Sequence, residues 1–270
     1  MHIVVCVKMV PDTTQVRIDP TTNTLVREGV PFITNPFDDH AVEEALRVKD
    51  TYGGKVTVIS MGPPTADAVI RKAVSQGADG GILLSDRVFG GADTLATSKV
   101  LAYAISEVSK ENPVDLVFCG KQTIDGDTAQ VGPGIATRLN YTQLTLVDKV
   151  VALDTGNKRI VVRRRTDEQH EIIEARLPAL LTIVREANRP RYPTVSGRLF
   201  AEEIDIPVWN NYLLKLAPED IGLRGSATMV QRIFAPERKM GDIVSSDDGA
   251  KSAAVDAIIT RLDQWKMIGT

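Results

Sequence analysis

The feature that most restricts how this chain can fold is an alternation across its first 140 residues. Residues 3–7, 56–61 and 114–119 are short apolar runs rich in β-branched side chains, and residues 81–84 form a weaker fourth. Each run ends in polar or glycine-containing sequence, as strands buried on both faces do. Helical patterns lie between them. Asp38 can cap a helix in which Val42, Ala45 and Leu46 share a face. Pro63 and Pro64 precede a second helix, with Val69, Ile70, Ala73 and Val74 in its stripe and a stop near Gly77. Asp93 or Thr94 opens a third, and Asp127 opens a fourth that runs towards Asn140. Strands alternating with helices predict an α/β fold: a mostly parallel, Rossmann-like sheet with helices on both faces.

Beyond residue 140 the texture changes. Residues 147–153, 159–165 and 170–177 read as an antiparallel extension, and 180–184 as a further buried strand. From Asn188 onward Pro190, Pro193, Pro207 and Pro218 break any long element, until Ala254, Ile258, Leu262 and Trp265 restore helical spacing. The expected organisation is an α/β domain over 1–187 and an extended C-terminal arm over 188–270. An amphipathic helix at its end suits a partner chain as well as it suits the arm's own domain.

Several function classes are excluded or disfavoured. The net charge of −3 carries no basic footprint for nucleic acid. No apolar stretch approaches the roughly 20 residues that span a bilayer, so no direct membrane insertion is expected. The opening residues read as a strand rather than a signal peptide, and Cys6 and Cys119 read as buried free thiols, so a cytoplasmic setting is expected. The three histidines have no zinc-ligand neighbours at useful spacing, and no nucleophile elbow or Walker A sequence occurs. Gly132-Pro133-Gly134 falls within a predicted helix, not after a strand, and carries little weight.

Ligands of open parallel sheets sit beyond the carboxyl ends of the strands. Four loops meet there: residues 8–13, 60–64, 89–98 and 120–130. In the last, Gly120 and Gly126 permit close backbone approach, and a helix opening at Asp127-Thr128 would aim free N–H groups at a phosphate. The same residues also suit an ordinary capped helix, and Asp125 and Asp127 would repel a phosphate unless they point elsewhere. Gly90-Gly91 with Thr94, Thr97 and Ser98 pose the same choice. Arg163-Arg164-Arg165 is either a solvated strand face or a contact for an acidic partner.

The stretches VVCVKMVPDT, NPFDDHAVEEALRVKD, VISMGPPTADAVIRKAVSQGAD, GKQTIDGDTAQVG and LPALLTIVREANRPRYPT together resemble the beta subunit of electron transfer flavoproteins, over essentially the whole chain. The resemblance implies an adenine-nucleotide-binding domain paired with an alpha subunit that carries its own FAD. Carried over by position, nucleotide contacts would come from Cys6, Asn35, Pro36, Phe37, Asp38 and Met61. Gly120, Lys121, Gln122, Thr123, Ile124, Asp125, Gly126, Asp127, Thr128, Ala129, Gln130 and Val131 would complete them. Tyr192 and Val195 would belong to the recognition loop for partner dehydrogenases; Thr166 stands where the family pattern has an acid.

VPDT, SMGPP, GGADTLATS and DGDTAQVG together resemble the electron-bifurcating branch, in which the beta subunit holds a second FAD and takes hydride from NADH. Gly62, Pro63, Gly90, Gly91, Ala92, Asp93, Thr94 and Thr97 would then serve NADH. Electrons would pass through the alpha-subunit FAD to an acyl-CoA or other flavin dehydrogenase, and separately to ferredoxin or flavodoxin. The alternatives are a simple carrier with structural AMP and a non-redox adenine-nucleotide sensor.

Overall fold

The computed structural model describes residues 1–12, 17–18, 25–26, 31–167, 169–229 and 251–267. The chain divides into two units, Met1–Arg232 and Ile233–Thr270.

In the first unit the elements run β1 (His2–Val7), β2 (Met9–Pro11), β3 (Arg17–Ile18), β4 (Leu25–Val26), β5 (Phe32–Thr34), α1 (Pro36–Tyr52), β6 (Lys55–Met61), α2 (Asp67–Gln76) and β7 (Gly80–Leu84). They continue with α3 (Thr94–Glu111), β8 (Leu116–Gly120), α4 (Val131–Leu139), β9 (Thr142–Asp154), β10 (Arg159–Arg165), β11 (His170–Arg176) and β12 (Ala179–Ile183). The segment after β12 adds α5 (Val195–Glu203), β13 (Val208–Trp209) and α6 (Asn211–Leu214). In the second unit the described residues form α7 (Lys251–Gln264), where Val255, Ile258 and Ile259 are exposed.

Nine strands make one sheet in the order β11-β10-β9-β12-β8-β1-β6-β7-β13. All neighbours from β9 to β13 pair in parallel, and β10 and β11 extend the β9 edge antiparallel. The α/β expectation is met. β2 with β5 and β3 with β4 form two small antiparallel pairs beside it. β9 is longer than its sequence pattern suggests: its first half, Thr142 to Val147, pairs with β12, and its second half, Val147 to Asp154, pairs with β10.

The period-2 alternation of strands divides the core into two layers. Ile3, Val5 and Val7 join Leu116 and Phe118 on the face covered by α1 and α2. Val4 and Cys6 join Val117 and Cys119 on the face covered by α3 and α4. α1 leads from β1 outward to β6, whereas α3 returns from β7 across the sheet to β8, on the other side of β1. The order therefore reverses between β1 and β8, and the loops that leave these strands in opposite directions open a crevice there.

Two helix starts differ from the sequence expectation. α1 begins at Pro36, with Asn35 at the cap position, so Asp38 lies inside the first turn. The fourth helix begins at Val131, not Asp127: the chain first turns back on itself, with Asp127 N–H donating to Thr123 O at 2.9 Å. Asp127 and Ala129 take φ of 50° and 54°, values that helix geometry forbids and that short polar or small residues tolerate in turns.

The proline-rich segment after β12 lies along this unit. Thr194 caps α5 by accepting from Gly197 N–H at 2.9 Å. Arg71 of α2 donates to the carbonyls of Ala201 and Ile204 at 2.5 and 3.2 Å, closing the other end. Arg191 grips the largely buried Glu43 of α1 through Nε at 2.8 Å and Nη2 at 3.2 Å. The triple-arginine stretch is neutralised within the chain: Arg163 pairs with Asp148, Arg164 with Glu171 and Arg165 with Glu186.

Candidate nucleotide site

A cavity of about 400 Å³ opens at the β1/β8 crevice, within the size range of small-ligand sites. Its lining includes Cys6, Asp38, Met61, Gly120, Lys121, Gln122, Thr123, Gly126, Thr128, Ala129, Gln130 and Val131. The opposite wall comes from Gly62, Gly91, Ala92, Asp93, Thr94 and Thr97. Residues assigned from resemblance to nucleotide and to NADH thus border one space. Asn35, Pro36, Phe37, Ile124, Asp125, Asp127, Pro63 and Gly90 do not line it, and Thr13 of the first loop lies outside the described residues. Val7, Lys8, Phe89, Leu101, Cys119 and Gly132 line it as well. Leu101 gave no signal in sequence, because a buried apolar residue on a helix has the same pattern whether it faces core or cavity.

The frame is built by α1. With no cap bond to make, the buried Asn35 side chain donates from Nδ2 to Gln122 O at 2.8 Å and accepts at Oδ1 from Ile124 N–H at 3.2 Å. Asp38 does the same for the strand ends: Oδ2 accepts Lys8 N–H at 2.8 Å and Oδ1 accepts Gly120 N–H at 3.2 Å. Burial pushes its carboxyl up to about 7, against the pull of these bonds and that of Asn35. Asn35 and Asp38 are therefore positioning residues for the loops after β1 and β8. A Cβ at Gly120 would overlap Asp38 Oδ1, so this glycine serves the close approach of strand and helix.

The acidic residues that could have opposed a phosphate are occupied elsewhere. Asp125 pairs with Lys8 Nζ at 2.7 Å; burial raises its carboxyl, but the ammonium and the Thr123 hydroxyl hold it below its ordinary value. Asp127 accepts from Gln122 Nε2 at 2.6 Å. Asp93 caps α3 through Ala96 N–H at 3.0 Å and holds Thr228 through its backbone N–H at 2.9 Å and its hydroxyl at 3.0 Å.

The donors sit where the helix begins. Among the described residues, no acceptor takes the N–H groups of Ala129, Gln130, Val131 or Gly132. Ala129 at φ 54° is followed by Gln130 at φ −100°, ψ −22°, a left-handed then right-handed pair that turns successive N–H groups towards one concavity. The positive end of α4 lies behind them. The anion-binding argument made for Asp127-Thr128 thus moves three to four residues along the chain. Gly132 and Gly134 are packing glycines: a Cβ would stand 2.7 Å from Thr182 Cγ2 in the first case and 2.7 Å from Ser98 Oγ in the second.

The electron transfer flavoprotein domain model matches residues 22–209. Protein FixA of Azotobacter vinelandii is 47% identical over 265 residues, 97% of this chain and 94% of that protein. The electron transfer flavoprotein subunit beta of Thermoanaerobacterium thermosaccharolyticum is 44% identical over 270 residues, covering 99% and 100%. Caffeyl-CoA reductase-Etf complex subunit CarD of Acetobacterium woodii is 50% identical over 242 residues, covering 89% and 90%. Matched along almost the whole length of these relatives, the chain belongs to the electron transfer flavoprotein family, among its beta subunits.

Proposed function

We propose that this chain is the beta subunit of a bifurcating electron transfer flavoprotein, holding FAD in the β1/β8 cavity and using NADH as electron donor. The observation that carries the nucleotide reading is the row of unpartnered N–H groups from Ala129 to Gly132 at the start of α4, bordering the cavity. These groups would receive the pyrophosphate, with Lys121 nearby for charge. Asn35 and Asp38 would keep that loop in place. Gly126 leaves the backbone open, since a Cβ there meets nothing nearer than Thr123 Oγ1 at 3.4 Å. Hydride acceptance and single-electron release are the chemistry that a bound FAD supplies. No side-chain acid or base is required of this chain; its residues bind, orient and exclude water.

FAD rather than AMP is supported by the combination of VPDT, SMGPP, GGADTLATS and DGDTAQVG, and by a cavity that continues past Met61 to the Gly91–Thr97 wall. A non-bifurcating subunit with structural AMP is the second reading, because the N–H row suits any adenine nucleotide pyrophosphate or phosphate. In the proposed assembly the chain pairs with an alpha subunit carrying its own FAD. The names of the subunit beta and CarD relatives support such a partnership. Electrons pass to an acyl-CoA or other flavin dehydrogenase, and to ferredoxin or flavodoxin. Tyr192, Val195 and Leu199 are exposed on and before α5, with Val195 and Leu199 one turn apart, which suits an apolar docking point.

Co-expression with the alpha subunit, denaturation of the purified pair and chromatography of the released nucleotides tests this directly. Two FAD and no AMP per heterodimer, with bleaching of both flavins by NADH, is the expected result. One FAD and one AMP would overturn bifurcation and leave the simple carrier.

A further inference from the structure

We propose that Cys6 and Cys119 form a thiol–disulfide exchange site on the floor of the cavity, and that its oxidation by a small disulfide and the binding of nucleotide exclude one another. The exclusion rests on the reading of the cavity as a nucleotide site; the exchange chemistry does not.

The two cysteines are register partners in the parallel β1·β8 pair. Their side chains lie on the same face of the sheet, in the layer under α3 and α4. Both are free and buried, and both line the cavity. Neighbouring strands run about 4.8 Å apart, within the roughly 4.4–6.8 Å that a disulfide needs between Cα atoms. A register pair in mid-sheet would ordinarily be sealed by close-packed helix side chains. Here each cysteine is the penultimate residue of its strand, where the helix layer gives way to the cavity. The chain has no other cysteine, so no competing internal disulfide exists.

The reaction needs one co-reactant, a small organic disulfide RSSR. One protein thiolate attacks an RSSR sulfur and expels RS⁻, which takes up the proton the thiol lost. The second protein thiolate attacks the protein-bound sulfur of this mixed disulfide and expels the second RS⁻, protonated likewise. Two electrons pass from the protein dithiol to RSSR, giving one protein disulfide and two RSH. The neighbouring Cys6 side chain, then burial, pushes the Cys119 thiol well above its ordinary range. Exchange is therefore slow at neutral pH and accelerates in alkali.

The consequence for the site follows from geometry. A disulfide draws Cβ atoms to about 3.8 Å, closer than the strand spacing. Lys8 and Gly120, whose N–H groups Asp38 holds, follow Cys6 and Cys119 by two residues and one. Closing the bridge pulls on both of these anchors and reshapes the loop that carries the free N–H row. Conversely, a nucleotide seated over the floor blocks RSSR from the sulfurs.

The test uses the full chain in the assembly in which it purifies, with its nucleotide and after nucleotide removal, exposed to oxidised 2-mercaptoethanol. The cross-linked Cys6–Cys119 peptide is quantified by non-reducing mass spectrometry. The expected result is cross-linking in the stripped protein, slowed about 100-fold by nucleotide at 100 times its Kd, since only about 1% of sites are then open. Cys119→Ala should halt at a mixed disulfide on Cys6, which shows access without requiring closure. Absence of both products in folded, stripped protein would overturn the exchange site. Equal cross-linking rates with and without nucleotide, where binding is verified independently by equilibrium dialysis, would overturn the exclusion. Failure of any nucleotide to bind in that dialysis would instead sink the reading of the cavity, leaving the thiol chemistry to be judged from the stripped protein alone.

Discussion

At Gly120 a Cβ would overlap Asp38 Oδ1 and stand 2.7 Å from Phe37 Cβ, neither of which can retreat because both belong to the first turn of α1. Gly120→Ala is expected to destabilise the fold by about 1–3 kcal/mol through forced backbone movement and to reduce retained nucleotide. Urea denaturation and nucleotide quantification on one preparation check both effects. Asp38 makes a prediction about pH. Its carboxyl is raised from 3.8 to about 7 by burial, so between these values the folded chain binds more protons than the unfolded one. Its contribution to stability is present below about pH 4 and is lost as pH rises through about 7. The arithmetic bounds that loss at a few kcal/mol. Unfolding midpoints for wild type and Asp38→Asn, measured from pH 4.5 to 8, should converge at the acid end; parallel curves would show that the carboxyl titrates normally. From sequence, Asp38 read as a helix cap, the commonest use of aspartate before an apolar stripe. Its use across 82 residues of chain, to Gly120 N–H, is not encoded in any local pattern.

The elements themselves were largely legible where periodicity is strong. α2 begins and ends close to its Pro and Gly signals, and α3 begins at its Asp signal, because caps and glycine stops act through neighbouring backbone atoms alone. The start of α4 was misread because two carboxylates near a glycine resemble a cap, whereas Asp127 and Ala129 adopt left-handed conformations that delay the helix to Val131. α5 illustrates a helix completed by another element: Arg71 takes its last-turn carbonyls, and Arg71 itself pairs with Asp67 at 3.1 Å. Arg71→Ala should cost about 1.5–3 kcal/mol, the range for charge-assisted hydrogen bonds. Hydrogen exchange should quicken in residues 195–204 while nucleotide content stays unchanged. Protection that is identical in variant and wild type would show that α5 is held by packing alone.

At the scale of the molecule, the order β7-β6-β1-β8-β12 creates the crevice, and the ligand is expected to bridge its two halves by touching loops from both. Saturation with the correct nucleotide at about 100 times its Kd should add about 2.7 kcal/mol of stability, or about 5–10 °C in Tm for a chain of this size. Thermal scans of stripped protein with FAD, AMP and neither rank the two candidates; no shift with either would count against the site. By itself the sequence determined the α/β class, the strands and helices of the parallel half, and four loops bound for one sheet edge. These follow from side-chain periodicity and backbone preference, which act over a few residues. Only the tertiary structure decided which strands became neighbours and where the order reverses. It also decided that Asn35 and Asp38 serve loops remote in sequence, and that Asp125 and Asp127 are engaged by Lys8 and Gln122. Those outcomes depend on burial and on hydrogen-bond partners brought from distant parts of the chain, and no local spacing carries that information.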